Sequence, residues 1–282
     1  MALSYLFFPG CSYNTSAGYR ESTEAVCRAV GVELKELKDW NCCGASAVFS
    51  LDREDGAWLA ARLAALALIQ GSPEIVTGCN GCLSALKKGI RILKSDEHLL
   101  QKAGSRLKDE NLGLTREDLD QFRVRHLLEV FAHDVPPDSW NKGSSSLKLR
   151  VASYYGCLFS RPDGLVDDPE HPVMLDLFIR TMGLEPVKHS LGTACCGASH
   201  NLPHKASSKV LVERIIRGIQ IKKADVAATI CPLCQFNLDS GQAGLNLDPL
   251  PVLYFTQVAG LSLGLPGSDL GLNKLLVPFK QG

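Results

Sequence analysis

Asn41-Cys42-Cys43-Gly44-Ala45-Ser46 decides how this chain reads, because its core returns as Cys195-Cys196-Gly197-Ala198-Ser199. Outward from each doublet the echo continues. A single cysteine precedes each one: Cys11 lies 31 positions before Cys42, and Cys157 lies 38 before Cys195. A Cys-x-x-Cys follows each one: Cys79 and Cys82 begin 36 positions after Cys43, and Cys231 and Cys234 begin 35 after Cys196. Ten of the eleven cysteines therefore fall into two sets of five, and Cys27 is left over. Five thiols repeated in register imply an internal duplication with one soft-ligand site per half. Thiolates at this density select iron–sulfur clusters, zinc or copper(I).

Each half shows the same order of elements. An apolar strand (4–8; 149–155) runs into the single cysteine, and a helix follows (16–30; 173–182). A short extended segment (32–37; 185–189) leads to the doublet, then a strong helix (54–69; 206–221). A β-branched strand (74–77; 226–230) delivers the Cys-x-x-Cys, and another helix leaves it. Strands alternating with helices indicate parallel α/β units, whose ligand sites lie at the carboxyl ends of the strands. The expected fold is thus α/β, with two pseudo-symmetric domains, each a small, mostly parallel sheet flanked by helices. The Pro-, Ser- and Gly-rich stretch marks 134–147 as the linker between a first domain, 1–133, and a second, 148–282. A charged helical insertion around 94–128 has no counterpart of similar length in the second half, and its 102–125 portion reads as a solvated surface.

Composition narrows the function classes. The 282 residues suit two ordinary domains, and 45% apolar content is enough for two cores. Thirty basic and thirty acidic residues give zero formal charge, which argues against nucleic-acid binding and against docking on an anionic membrane. The start lacks a basic segment before its apolar run, so no signal peptide is expected. The apolar stretch 250–265 is broken by Pro251, Gln257 and Gly260 and is too short to span a bilayer; it reads as core or as a docking surface. The expectation is a soluble cytoplasmic protein without a transmembrane segment. In a reducing compartment its cysteines are metal ligands or redox groups rather than disulfides.

Adjacent cysteines do not readily bridge each other, but both can bind one cluster in a tight turn. Gly44 and Gly197 supply that turn. A Cys-x-x-Cys at a strand-to-helix turn places two thiols beside a positive helix end that favours thiolate. Five ligands exceed the four of a tetrahedral zinc or cubane site. The surplus implies a bridging thiolate, an unusual cluster, or one bystander per half. Two zinc sites would leave the fifth cysteine buried in each half. A thioredoxin-like dithiol would leave the doublets without a role. Cys27, on the first helix, reads as a buried structural residue.

The double pattern resembles the cysteine-rich CCG domain family, in the branch formed by the B subunits of heterodisulfide reductase, bacterial type. The resemblance spans essentially the whole chain. It rests also on Phe8-Pro9-Gly10-Cys11, Asp39-Trp40-Asn41, Tyr154-Tyr155-Gly156-Cys157, Cys231-Pro232-Leu233-Cys234-Gln235 and the stretch 251–257. It implies two CCG domains, each holding one noncubane [4Fe–4S] cluster. Cys11, Cys42, Cys43, Cys79 and Cys82 would hold one, and Cys157, Cys195, Cys196, Cys231 and Cys234 the other. The implied reaction is reductive cleavage of a disulfide lying between two clusters, or thiol oxidation in reverse. No C-x₂-C-x₂-C-x₃-C run and no G-x-G-x-x-G after a strand are present, so a partner must deliver electrons. The resemblance implies two partner subunits, one ferredoxin-like and one flavin-containing (the C and A components of such complexes).

His200, His204 and Lys205 follow the second doublet; Asn41 and Asn80 lie in the first-half motifs; Arg161 and Lys188 lie near those of the second. Any of them could orient an anionic substrate or protonate a leaving thiolate, and a solvated or supporting role competes for each. His200 is the leading candidate. The alternative functions are an electron-transfer subunit of a dehydrogenase or quinone-linked complex, and a zinc-stabilised scaffold.

Overall fold

The computed structural model describes residues 3–45, 47–140, 147–159, 161 and 166–280. In the first half, β1 (Leu3–Phe7) is followed by α1 (Tyr19–Val30), β2 (Val32–Glu36), the short α2 (Val48–Leu51), α3 (Arg53–Ile69), β3 (Glu74–Thr77) and α4 (Asn80–Ser95). Then come α5 (Glu97–Lys108), α6 (Arg116–Gln121), β4 (Arg123–His126) and α7 (Leu127–His133). The second half runs β5 (Arg150–Tyr154), α8 (Met174–Thr181), β6 (Glu185–Val187), α9 (Lys205–Gln220), β7 (Val226–Thr229), α10 (Pro232–Ser240), β8 (Val252–Tyr254) and α11 (Phe255–Ser262). The expected elements are present, with ends shifted by a few residues at most.

Two four-stranded sheets form, ordered β2-β1-β3-β4 and β6-β5-β7-β8. β3 runs parallel to β1 and β4, with Phe7 opposite Val76 and Ile75 opposite Val124. β7 runs parallel to β5 and β8, with Val151 opposite Val226 and Ala228 opposite Leu253. All four residues of β7 are buried, as expected of a central parallel strand covered on both faces.

The stretch 94–128 is not helical throughout, contrary to its charged pattern, because its end forms the edge strand β4. Nor is 102–125 only a solvated surface: α5 joins Lys102 to Glu54 at 2.8 Å and Arg106 to Asp55 at 2.9 Å, on the first turn of α3. The stretch 250–265 proves to be core, with β8 and α11 buried along their whole length. Of the expected linker, 141–146 lie outside the described residues, and Val135 and Trp140 are buried.

The chain divides into two compact units. One, 4–11 with 33–127, carries the first sheet; the other, 1–3, 12–32 and 128–282, carries the second. In the second-sheet unit α1 packs on α11, with the Tyr19 and Tyr254 rings 4.6 Å apart and the Ser22 and Thr256 hydroxyls hydrogen-bonded at 2.5 Å. Phe131, Trp140, Phe178 and Phe255 form an aromatic core there, with centroids 4.8–6.4 Å apart. Among the described residues, no helix is long and apolar enough to cross a membrane.

Candidate metal centres

The sheets position the thiols. In each half the single cysteine lies just past the central strand β1 or β5, the doublet past β2 or β6, and the Cys-x-x-Cys past β3 or β7. The last motif occupies the same place twice. Cys79 is the N-cap of α4 with Cys82 at its third residue, and Cys231 and Cys234 hold those places on α10. Both pairs therefore sit at a helix N-terminus, where unpaired N–H groups and the dipole favour negative sulfur. Each set of five is gathered within one unit.

Burial repeats as well. Cys43, Cys79 and Cys82 are buried, whereas Cys11 and Cys42 are exposed. Cys196, Cys231 and Cys234 are buried, Cys195 is exposed and Cys157 is intermediate. All eleven are thiols, not disulfides. The inner thiols touch across the site, Cys43 to Cys82 at 3.3 Å and Cys196 to Cys234 at 3.4 Å. The doublet turn also repeats: Gly44 N–H donates to the Cys42 sulfur at 3.5 Å and Gly197 N–H to the Cys195 sulfur at 3.4 Å. Both glycines are left-handed, with φ of 75° and 83°. A β-carbon on Gly44 would lie 2.8 Å from Leu59 Cδ1. Gly10 is left-handed too, and a β-carbon there would lie 2.9 Å from the Cys82 sulfur.

The thiols perturb one another. Hydrogen bonds from Cys42 and then Cys82 pull Cys43 down to about 4, against the effect of burial. Cys195 is pulled down to about 6, first by Cys157, then by Gly197 N–H and the charge of His200. Their partners move the other way: the hydrogen bond to Cys43 raises Cys42 and Cys82, and that to Cys195 raises Cys157.

The turns are pinned by Asn41, which the sequence offered as a candidate in another role, and by residues such as Asn237 and Arg62 that sequence reading did not single out. Asn237, 1% exposed, donates to the Cys196 carbonyl at 2.7 Å and to Ser208 Oγ at 3.2 Å. Tyr154 OH donates to the Ala194 carbonyl at 2.6 Å. Burial, and then the charges of four thiols of the second set, push this phenol up. In the first half Asn41 donates to the Cys42 and Leu59 carbonyls at 3.0 and 3.2 Å. Arg62 reaches Asn41 Oδ1 at 3.2 Å, Asp39 Oδ2 at 2.7 Å and Glu110 at 2.6 Å. No repeat signals these roles; for Asn237 the only cue is its place three residues after Cys234.

Among the expected polar residues, His200 ends the 3₁₀ turn after the second doublet and is exposed. The His204 ring lies 6.1 Å from it, and Lys205 begins α9. Asn80 is buried at the start of α4. Arg161 and Lys188 are not brought to the thiols; they line a separate cavity that no cysteine lines. Cys27 is buried, and burial pushes it up to about 12, as suits a structural thiol.

The donor set fits an iron–sulfur cluster. Among the described residues no three His, Cys, Asp or Glu groups converge as a single metal ion requires. Five thiols per site, a helix N-terminus in each, and a glycine, Gly10, where a β-carbon would meet sulfur instead suit a larger, sulfur-bound group.

The cysteine-rich domain family CCG matches residues 5–87 and 151–239. The chain is 30% identical to the 8-methylmenaquinol:fumarate reductase membrane anchor subunit of Wolinella succinogenes, over 97% of this chain and 96% of that protein. It is 29% identical to the B subunit of the ferredoxin/F(420)H(2)-dependent CoB-CoM heterodisulfide reductase of Methanosarcina acetivorans, over 95% and 91%. Among solved structures, a hypothetical protein from Helicobacter pylori superposes with a TM-score of 0.75 at 14% identity, covering 98% of this chain and 52% of that one. The chain spans about half the length of that protein, and the likeness is one of fold.

Proposed function

The chain belongs to the CCG family of cysteine-rich domain proteins, and on that premise we propose that it is the catalytic subunit of a heterodisulfide reductase-like complex. It reduces a disulfide, or oxidises thiols in reverse, at two noncubane [4Fe–4S] clusters. The observation that carries this reading is the presence of two five-thiol sets, each with the same three thiols buried and the first of the doublet exposed. Its relatives include heterodisulfide reductase B subunits matched nearly end to end.

Cys11, Cys42, Cys43, Cys79 and Cys82 hold one cluster, and Cys157, Cys195, Cys196, Cys231 and Cys234 the other. When bound, the clusters supply one electron each and iron for sulfur to bind. The N-termini of α4 and α10 keep the inner sulfurs anionic. His200, exposed beside the second doublet, donates a proton to a departing thiolate. Two partner subunits, one ferredoxin-like and one flavin-containing, deliver the electrons, and the chain works in the cytoplasm. The sequence division into 1–133, a linker at 134–147 and 148–282 remains our proposal for the two halves.

A second reading is an electron-transfer subunit of a quinone-linked complex, without substrate chemistry of its own. The Wolinella succinogenes relative, named as a quinol:fumarate reductase subunit, favours it. One anaerobic experiment separates the readings: iron, acid-labile sulfide and zinc per chain, then EPR on the oxidised protein with added thiols. About eight irons and a new signal on adding thiol are expected. The same iron without a thiol response supports the second reading. Two zincs and no iron in protein reconstituted with iron and sulfide would overturn both.

A further inference from the structure

A cavity of about 570 Å³ opens in the second-sheet unit, within the size range of small-molecule sites. Its walls carry charges of both signs. Arg161 is already engaged, bonding Glu170 and Thr193 Oγ1 at 3.0 and 3.1 Å. Lys188 and Arg214 also line the cavity, from the end of β6 and from α9. Neither makes an ion pair among the described residues.

Asp176 lines the same cavity and is only 4% exposed. Among the described residues its carboxylate accepts from neutral groups, Tyr155 OH at 2.5 Å and Ser153 Oγ at 3.2 Å. The first turn of α8 lends it partial positive charge, but no cation among the described residues reaches it. A buried carboxylate without a cation is costly, and the exposed Lys188 and Arg214 stand on the wall of the same cavity. His189, beside it, bonds the Ser153 carbonyl through Nε2 at 3.0 Å, while its buried Nδ1 has no hydrogen-bond partner among the described residues.

We infer that this cavity binds a zwitterionic small molecule of the amino-acid or short-peptide class, with its ammonium at Asp176 and its carboxylate on Lys188 and Arg214. The polar wall, Ser190 to Thr193, offers hydroxyl and backbone partners along the ligand's length. Because no cysteine lines it, the site is separate from the thiol sets and does not depend on the redox reading. It is nevertheless coupled to one of them. The Gly192 carbonyl accepts from Tyr155 N–H and Gly156 N–H, and Ala194 takes the Tyr154 hydroxyl, so the loop that walls the cavity also delivers Cys195.

The test is calorimetric titration of the cluster-loaded protein with S-methylglutathione, a zwitterionic peptide with no thiol or disulfide to react. Inorganic phosphate serves as the plain anion. One peptide per chain is expected to bind, with phosphate much weaker. The Lys188→Ala/Arg214→Ala double variant, both exposed positions, and Asp176→Asn should each lower peptide affinity by roughly tenfold or more. Absence of peptide binding would overturn the proposal, as would equal binding by the double variant. Phosphate binding as tight as the peptide, unaffected by Asp176→Asn, would show an anion site and reject the zwitterion. If Asp176→Asn does not fold, the double variant decides alone.

Discussion

Gly10 shows how closely single residues are tied to the thiol sites. Its φ of 68° is one that side chains rarely adopt, and a β-carbon would press on the Cys82 sulfur at 2.9 Å. Gly10→Ala should therefore displace an inner ligand of the first set and leave the second intact. Iron should fall from about eight to about four per chain, measured with protein and sulfide on the same sample. His189 supports a prediction about pH. Burial holds its imidazole below the ordinary 6.5, against the pull of Asp176 and with a smaller push from Lys222. The folded protein then binds this proton less readily than the unfolded chain. Its contribution to stability is complete above about 6.5 and is lost as pH falls below that value. The melting temperature of the native chain should drop more steeply from pH 7 to pH 5 than that of His189→Gln; parallel curves would refute this.

At the scale of elements, the halves build the same turn with different supports. The second doublet is held by Asn237 on α10, bonded to the Cys196 carbonyl and to Ser208 on α9. The matching position in the first half, three residues after Cys82, is Ala85, and Asn41 with Arg62 does the work there. Asn237→Leu would leave that carbonyl and the Ser208 hydroxyl without their buried partner, at a cost of about 1–3 kcal/mol. Lower thermal stability and preferential loss of the second set's iron are expected; unchanged stability would argue against the support. This divergence explains what the sequence could and could not reveal. The two cysteine sets were legible because the duplicated spacing marks them, and the main strands and helices because their apolar periods are clear. The supports carry no repeat, since any residue that reaches the turn will serve. β4 escaped reading because exposed Arg123 and half-buried Arg125 alternate with buried Val124 and His126, a two-residue period lost among charged helices. β8, only three residues long, runs directly into α11 and reads as one apolar tract.

At the scale of the molecule, each thiol set belongs to one unit, so the two should fill and fail separately. Cys82→Ser should remove one cluster's iron, and Cys234→Ser the other's, each leaving about half of the total. Loss of all iron in either variant would show that the sites depend on each other. The chain also lacks a nucleotide fingerprint, so the isolated protein should accept electrons from artificial dyes but not from NADH or NADPH. Reduction by a nicotinamide without a partner would sink the proposed division of labour. The graded exposure of the thiols bears, finally, on biogenesis. On the proposed reading, a cluster delivered from solvent would meet the exposed cysteines first, Cys11 and Cys42 in one half and Cys195 in the other, whereas three buried thiols lie deeper at the helix end and the turn. Assembly then becomes a hand-over from the outer thiols to the inner ones. Oxygen and alkylating agents enter by the same door, so the outer cysteines should be the first casualties of damage.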